Sequence, residues 1–490
     1  MKRQSPLTTR TLLLTALFLL ACATPLHARQ QKGEMKLTAS KEALALFEQG
    51  RQKVENLEDP GTLFEQAVQK DPNFAMAYLF AGRTNREFWD NLSKAVALAD
   101  KVSPGEREWI LAAKAQAEGD LPGQKSHLDQ LLKLQPGDVR AHVFMANYYS
   151  NVGDDASALK HFQDAVALDK NYAPAYNNIG YANFRLGKYA DAEKAFQTYI
   201  KLIPNNPNPY DSYAELLMKM GRYDDSIKQY NMALSKDAAF VNSYRGVGDN
   251  YAYKGDYAKA REAFQRMYDH APDDNWRDQA LTALANSYVL EGKVDEALKA
   301  NDRRRELAEA RKDAQALIGI HGNAGFVLAE AGRLDEAARE FEAADKLRED
   351  ESLPAAFREN TRFGRAQNQA FLLIMRQQLD PAGAQLAESW KLVEAKKNPN
   401  WEQGYNATLG QLELGRKNYA KAIEYFSKSG PNNPYVWYYT AAAYEASGDK
   451  KKAAELYRQV VSWNALDNTG YSIVRPRAAA KLAELSKGQK

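Results

Sequence analysis

Small and aromatic side chains recur through the middle of this chain at a fixed spacing. The spacing is marked by four glycines at equal intervals (187 − 153 = 34): Gly153, Gly187, Gly221 and Gly255. A small residue stands seven positions before each glycine: Ala146, Gly180, Ala214 and Gly248. An aromatic residue stands nine positions after each: Phe162, Phe196, Tyr230 and Phe264. A fixed period of this length is typical of a repeat array.

Each period is predicted to be a helix–turn–helix unit. The small residue lets two helices approach closely, and the glycine ends the first helix because a left-handed residue is needed there. In the second helix an alanine and the aromatic residue are four positions apart, which places both on one face. One unit cannot bury its apolar face alone, so successive units are expected to stack.

Two stretches carry every one of these slots in phase: NNIGYANFRLGKYADAEKAFQTYIKLIP (177–204) and GVGDNYAYKGDYAKAREAFQRMYDHAP (246–272). They resemble the tetratricopeptide repeat. The resemblance implies an all-α fold, a right-handed α-α superhelix of about nine to eleven helix pairs. It also implies a concave groove that holds other proteins or peptides, and no enzymatic activity.

The repeat pattern weakens towards both ends of the chain. We predict a signal peptide over 1–28, a disordered lead over 29–41, degenerate repeats over 42–139, a regular array over 140–347, an irregular helical pair over 348–400, C-terminal repeats over 401–461 and a capping helix and tail over 462–490. The capping helix is expected from about Pro476 to Leu485. The C-terminal repeat at 408–429 is expected to have a turn two residues longer than the others.

Charge argues against nucleic acid as a partner. The chain has 490 residues and a formal net charge of +3. Residues 1–28 carry Lys2, Arg3 and Arg10 and no acid, so the remainder has a net charge of 3 − 3 = 0. A body without net charge does not favour binding to nucleic acid or to an anionic membrane surface.

The stretch 1–28 has the pattern of an export signal. A basic start precedes an apolar core over 12–21, which is too short to span a bilayer. Cleavage after Ala28 would release a soluble protein, whereas cleavage before Cys22 would leave a lipid-anchored one. We favour the soluble form, in the periplasm or outer envelope, and expect membrane contact only if Cys22 is lipidated. Cys22 is the single cysteine, so no internal disulfide can form.

Motifs for catalysis or cofactor binding are not recognised in this sequence. The six histidines form no HExxH motif and no pair four residues apart, and we expect them to be packing residues. The glycines 319, 322 and 325 lack the Lys-Ser/Thr that a phosphate-binding loop requires. We therefore expect no catalytic residue, no metal and no cofactor.

Residues six and ten positions before each turn glycine are expected to face the groove. With Asn178, which matches an asparagine of the family's carboxylate clamp, they give the candidate partner-binding set: Asn147, Asn177, Asn178, Tyr181, Asp211, Glu215, Arg245, Asp249 and Asn286. The clamp itself is not expected, because its three cations are missing. Asparagine amides can bond a peptide backbone as donor and acceptor. An ordinary solvated helix face would give the same polar pattern.

Two functions remain open at this point. The first is an exported scaffold that binds a protein or extended peptide, in envelope assembly or secretion. The alternative is a carbohydrate-associated envelope protein, for which a glycan would be the partner. The aromatic residues that would serve the alternative are Tyr181, Phe184, Tyr253 and Phe326.

Overall fold

The computed structural model describes residues 33–56, 58–82, 85–350, 353, 355–396, 398–464 and 468–487. These residues form helices and no strand, so the predicted all-α fold is confirmed. The predicted signal peptide and Cys22 lie outside the described residues. Chain contacts divide the molecule into two compact units, one ending at Lys170 and one beginning at Asn171.

The first unit contains eight described α-helices and a short 3₁₀ turn at Ala99–Lys101. The helices are α1 (Lys41–Glu55), α2 (Leu63–Lys70), α3 (Ala75–Tyr78), α4 (Asn85–Leu98), α5 (Pro104–Glu118), α6 (Leu121–Leu134), α7 (Val139–Asn151) and α8 (Asp155–Leu168).

The second unit is a succession of antiparallel helix pairs followed by one last helix. The helices are α9 (Ala173–Arg185), α10 (Tyr189–Leu202), α11 (Asn208–Lys219), α12 (Tyr223–Lys236), α13 (Val241–Tyr253), α14 (Tyr257–Asp269), α15 (Asp274–Glu291), α16 (Val294–Ala310), α17 (Ala314–Glu330), α18 (Leu334–Arg348), α19 (Ala355–Met375), α20 (Leu379–Lys396), α21 (Pro399–Gly415), α22 (Tyr419–Ser427), α23 (Pro434–Ala446), α24 (Lys450–Val461) and α25 (Thr469–Lys487). Each odd-numbered helix up to α23 packs against the helix that follows it.

The turn glycines have the left-handed backbone that the pattern predicts. Gly187 has φ +72° and Gly255 has φ +79°. The turn between α21 and α22 is not longer than the others, which corrects the expectation for 408–429. Gly415 is the last residue of α21, and Lys417 takes the left-handed position with φ +62°. The sequence pattern did not indicate this turn because a lysine occupies the position at which the other repeats have glycine.

The small and aromatic slots of a repeat are in direct contact. A Cβ atom built on Gly180 would lie 2.6 Å from the ring of Phe196, and one on Gly248 would lie 2.3 Å from Phe264. Both rings are buried. The small residue is therefore required because the aromatic ring of the paired helix occupies the space of its side chain.

The prediction that residues 29–41 are disordered is wrong for residues 33–41, the part of this segment that the structure describes. The Met35 amide donates to Asp138 at 2.8 Å, and the Thr38 amide and hydroxyl donate to Glu106 at 2.8 and 2.6 Å. Met35 and Glu106 are buried. The segment is ordered because two carboxylates of the first unit bond its backbone, which a composition rule cannot register.

The last helix begins before the expected start at Pro476. α25 starts at Thr469, where the Asn468 side chain accepts from the Tyr471 amide at 3.1 Å. Pro476 lies inside the helix and is exposed to solvent. Besides covering α24, this helix packs against α15, α17 and α23.

Candidate functional site

In three successive repeats the first helix is α9, α11 or α13. These three helices line a cavity of about 480 Å³. Because the period is the same from one repeat to the next, each helix presents the same two slots to the same side. Asn177, Asp211 and Arg245 occupy one slot. The other slot carries Tyr181, Glu215 and Asp249, and the remaining lining residues are Asn208, Ser212, Met218, Lys219, Tyr230, Asn242 and Gly246. We call this cavity the acidic pocket.

Asp211 is a carboxyl group of the acidic pocket whose pKa is shifted by its surroundings. Burial, opposed by the hydrogen bond from Ser243 and aided by the charge of Glu215, raises its pKa to about 7. The Ser243 hydroxyl donates to Asp211 Oδ1 at 2.6 Å. Near neutral pH this carboxyl group therefore exchanges its proton readily, and a cation placed beside it would drive the proton off.

Glu215 is held by the tyrosine of the preceding repeat. The Tyr181 hydroxyl donates to Glu215 Oε2 at 2.9 Å. Burial, and next the charge of Glu215, raise the pKa of Tyr181 well above its usual value. The tyrosine therefore stays a hydrogen-bond donor throughout the physiological range and fixes the position of this carboxylate.

The third carboxylate, Asp249, lies near an arginine of its own helix. Arg245 Nε lies 3.8 Å from Asp249 Oδ2, and the Asp249 side chain is 8% exposed. This distance is an ion pair but not a hydrogen bond. The arginine can therefore respond to a second cation or an acceptor that enters the pocket.

The ring of Tyr230 on α12 also lines the acidic pocket. The ring of Tyr230 lies against Gly246 so closely that a Cβ there would be 2.1 Å from it. Tyr230 is 4% exposed. On the wall, the Asn177 side-chain oxygen is buried and accepts no hydrogen bond. A buried acceptor of this kind favours a ligand that brings a donor.

The acidic pocket unites six of the nine candidate residues, those of α9, α11 and α13. Asn178 neighbours Asn177 but does not line the cavity. Asn147 is exposed on α7 in the first unit. Asn286 is a correction: it is 1% exposed, and its side-chain oxygen accepts from the Thr469 hydroxyl at 2.9 Å. It cannot face an open groove because α25 covers it.

Sequence reasoning missed the part that the chain's own C-terminal segment plays in the groove. Asn464 Nδ2 donates to the Met218 carbonyl at 3.3 Å, and the Tyr223 hydroxyl donates to Asn464 Oδ1 at 2.9 Å. Lys219 Nζ lies 5.7 Å from the Trp463 ring centre. Since Met218 and Lys219 also line the acidic pocket, this segment borders it. No local pattern around residue 464 could have indicated this.

The same segment is anchored further along by Glu330 of α17. The Glu330 side chain is 2% exposed and accepts from Arg477 Nη1 at 2.6 Å and from the Tyr439 hydroxyl at 2.8 Å. The Tyr435 hydroxyl also donates to it. Glu330 therefore joins α17, α23 and α25, and the groove beyond α13 is filled by the chain itself.

Two of the four aromatic residues considered for a glycan, Tyr253 and Phe326, lie in packed surroundings, whereas Tyr181 lines the acidic pocket. Tyr253 is 7% exposed, and its ring lies 5.0 Å from the Arg475 guanidinium. Phe326 packs against Phe371 and Tyr435 at the edge of a second cavity of about 180 Å³. These two rings pack in the core and do not form a flat surface on which a sugar could stack.

In the part of the chain that the structure describes, no helix is long and apolar enough to cross a bilayer.

Family models for the tetratricopeptide repeat match residues 173–206, 214–275 and 407–469. The chain is therefore built with tetratricopeptide repeats in these stretches, as the resemblance predicted. The first two stretches include α9, α13 and the end of α11, whereas Asn208, Asp211 and Ser212 of the acidic pocket lie between them. No curated protein matches the sequence.

Solved structures of repeat proteins resemble parts of the chain. MamA is 26% identical, with 33% of this chain and 94% of that chain covered and a TM-score of 0.30. YrrB, described as a TPR protein with an unusual peptide-binding site, is 17% identical over 39% and 94%, with a TM-score of 0.28. PilF of Pseudomonas aeruginosa is 15% identical over 43% and 93%, with a TM-score of 0.34. Because these scores are low, we transfer no ligand or site from them.

Proposed function

We propose that this protein is a non-catalytic scaffold that binds a segment of another protein in the acidic pocket, with a lysine or arginine of that segment seated among Asp211, Glu215 and Asp249. The observation that carries this proposal is the convergence of three carboxyl groups from two helices in one cavity. Tetratricopeptide repeats generally act as interaction modules, which agrees with the proposal.

Electrostatics favour a basic side chain as the occupant. Burial of Asp211, with the charge of Glu215 adding to it, raises the pKa of Asp211 to about 7, which is a cost that an incoming cation relieves. Two cations also line the pocket: Arg245 lies too far from Asp249 for a hydrogen bond, and Lys219 Nζ lies 5.7 Å from the Trp463 ring centre. A bound ammonium or guanidinium could donate to several of these oxygens at once.

The peptide backbone of the partner has its own binding groups. The pocket is lined along the groove by three asparagines, Asn177, Asn208 and Asn242. The side-chain oxygen of Asn177 is buried and has no hydrogen-bond donor in the protein. The groove is built from helices that pack on their partners, so the scaffold loses little entropy on binding. An extended segment with one basic residue fits this arrangement.

Export remains part of the proposal. The basic start, the short apolar core and the alanine at position 28 support a protein that leaves the cytoplasm. The partner would then be another envelope or secreted protein. Cys22 is the residue at which a lipid anchor would be attached.

A peptide array tests the proposal. Random ten-residue peptides containing one lysine, arginine, glutamine or glutamate at the centre are probed with the purified protein. Lysine and arginine peptides are expected to bind best, and Glu215→Lys is expected to lose them by about tenfold or more. Glu262→Lys, an equal charge change at an exposed site on α14, is the control. Equal loss in both variants, or no preference for basic peptides, would overturn the assignment.

A further inference from the structure

A second cluster of chemical groups lies in the first unit, between the two helices of one repeat. His142 is on α7, and His161 and Asp164 are on α8. Nδ1 of each histidine lies 3.9 Å from Asp164 Oδ2. The three donor atoms all lie within 4.8 Å of one another. They therefore surround a single point between the helices.

The tautomer of His142 follows from its other nitrogen. Nε2 lies 3.2 Å from the Pro136 carbonyl oxygen, which can only accept a hydrogen bond. Nε2 therefore carries the proton, and Nδ1 presents a lone pair to the cluster. A hydrogen bond from the second ring nitrogen to a carbonyl is the usual way in which proteins orient a histidine that binds a metal.

Neither Nδ1 atom has a hydrogen-bond partner although both are buried. His161 is held in place by Tyr149, whose ring stacks on it at 5.5 Å with an interplanar angle of 10°. At 3.9 Å the Asp164 oxygen is beyond hydrogen-bond distance of both nitrogens. Two buried nitrogens and a carboxylate oxygen thus lie close together without a hydrogen bond between them.

We propose that His142, His161 and Asp164 form a binding site for a divalent transition metal of the zinc type. Zinc binds imidazole nitrogen at about 2.0–2.1 Å and carboxylate oxygen at about 2.0–2.2 Å, so ligand atoms separated by roughly 3.4–4 Å can share one ion. The two nitrogen–oxygen distances of 3.9 Å are in this range, and a small side-chain adjustment would bring the two nitrogens, which lie within 4.8 Å, to the same ion. Two imidazoles and one carboxylate match the preference of zinc and its neighbours. Asp164 is 44% exposed, which gives the ion a route of entry and leaves room for water as a further ligand.

The other repeats show that this slot does not need such residues for packing. The equivalents of the three residues are Tyr176, Ala195 and Thr198 in the next repeat, and Tyr244, Ala263 and Arg266 two repeats after that. There Arg266 lies 4.8 Å from the Tyr244 ring centre, a contact between ring and cation. The sequence pattern did not indicate the cluster because its residues lie 19 and 3 positions apart on two helices.

A metal ion at this site would link α7 to α8, and its binding would not depend on the acidic pocket. The test is titration of the full chain, carrying Cys22→Ser and no histidine tag, with cobalt(II) followed by visible absorption, and then displacement by zinc. One equivalent is expected to bind. His142→Tyr and His161→Ala introduce the residues that the next repeat has at these positions, so both variants should fold. Each is expected to weaken cobalt binding at least about tenfold.

The matched control is His321→Tyr, which changes a histidine in the same slot of a later repeat. It is expected to leave cobalt binding unchanged, whereas Asp164→Asn is expected to weaken it. Circular dichroism checks that every variant is folded. The proposal is overturned if the chain binds cobalt no tighter than the double variant His142→Tyr/His161→Ala, or if His321→Tyr loses as much affinity as His161→Ala.

Discussion

The Tyr223 hydroxyl donates a hydrogen bond of 2.9 Å to the side-chain oxygen of Asn464, although 241 residues separate them in the sequence. Asn464 has φ +49°, and its own amide donates to the Tyr471 hydroxyl at 3.1 Å. One residue thus ties the C-terminal segment to α11 and α12. The concave face of the second unit is divided between an open pocket and a part that the chain covers itself.

Replacing Asn464 should release this segment locally. Asn464→Ala removes two side-chain hydrogen bonds and leaves a residue that disfavours a positive φ, at a cost of roughly 1–3 kcal/mol. Amide exchange measured by mass spectrometry should be about tenfold to a hundredfold faster in α25, and unchanged in α5 and α6. Asn151→Ala, at an exposed position, should change neither.

Glu330 and Arg477 should be strongly coupled. Arg477→Met leaves the buried Glu330 carboxylate with tyrosine donors alone, which costs roughly 1–3 kcal/mol after allowance for the partial exposure of Arg477. In a Glu330→Gln background the same change should cost about 1 kcal/mol less. Thermal denaturation of the four proteins gives this coupling. Lys481→Met, which breaks a more exposed pair with Glu445, is the control and should have a small effect.

The raised pKa of Asp211 should make its contribution to stability depend on pH. Its folded-state pKa of about 7 lies above the unfolded value, so the group stabilises the protein most below about pH 4 and loses this contribution as the pH rises to about 7. The loss is at most about 1.4 kcal/mol per pH unit. Asp211→Asn should therefore gain stability relative to the unmodified protein between pH 5 and pH 7.

Urea titrations at several pH values measure this difference. Above about pH 8 the difference should be constant, because Asp211 is ionised in both states. A difference that is flat from pH 5 to pH 8 would show that Asp211 titrates in its ordinary range. Asp237→Asn, on a more exposed residue, is the control.

Two glycines of different surroundings should respond in opposite ways to alanine. Gly246→Ala places a methyl group against the ring of Tyr230 and should destabilise the protein by roughly 1–3 kcal/mol. Gly319 lies in α17 with no atom within 4 Å of a Cβ, so Gly319→Ala should stabilise by about 0.5–1 kcal/mol. Melting temperatures compare the two. A fall of similar size in both would contradict the packing account.

Much of the fold could be predicted because its cause is local. The contact of Gly180 with Phe196 recurs in other repeats at the same period, as between Gly248 and Phe264, so it leaves a periodic trace in the sequence. The same period placed Tyr181, Glu215 and Asp249 in one cavity. A slot that is repeated along a solenoid is a geometric prediction as well as a sequence pattern.

Contacts between segments that are far apart in the chain produce no periodic pattern in the sequence. Asn286 occupies a groove position by its period, yet Thr469 of α25 covers it. The burial of Met35 depends on Asp138, which is 103 residues away. His142 and Asp164 belong to different helices, so their spacing matches no metal-binding motif. In each case the partner lies outside the window in which a sequence pattern can be recognised.

Binding of a basic segment of another protein in the acidic pocket can be tested by photocrosslinking in cells. A photoreactive amino acid is placed at Asn242 in the pocket and, separately, at exposed Lys228 on α12. Position 242 is expected to capture a partner through a segment containing lysine or arginine, and Glu215→Lys is expected to abolish this capture. Capture that survives Glu215→Lys, or that is equal from position 228, would contradict the proposal.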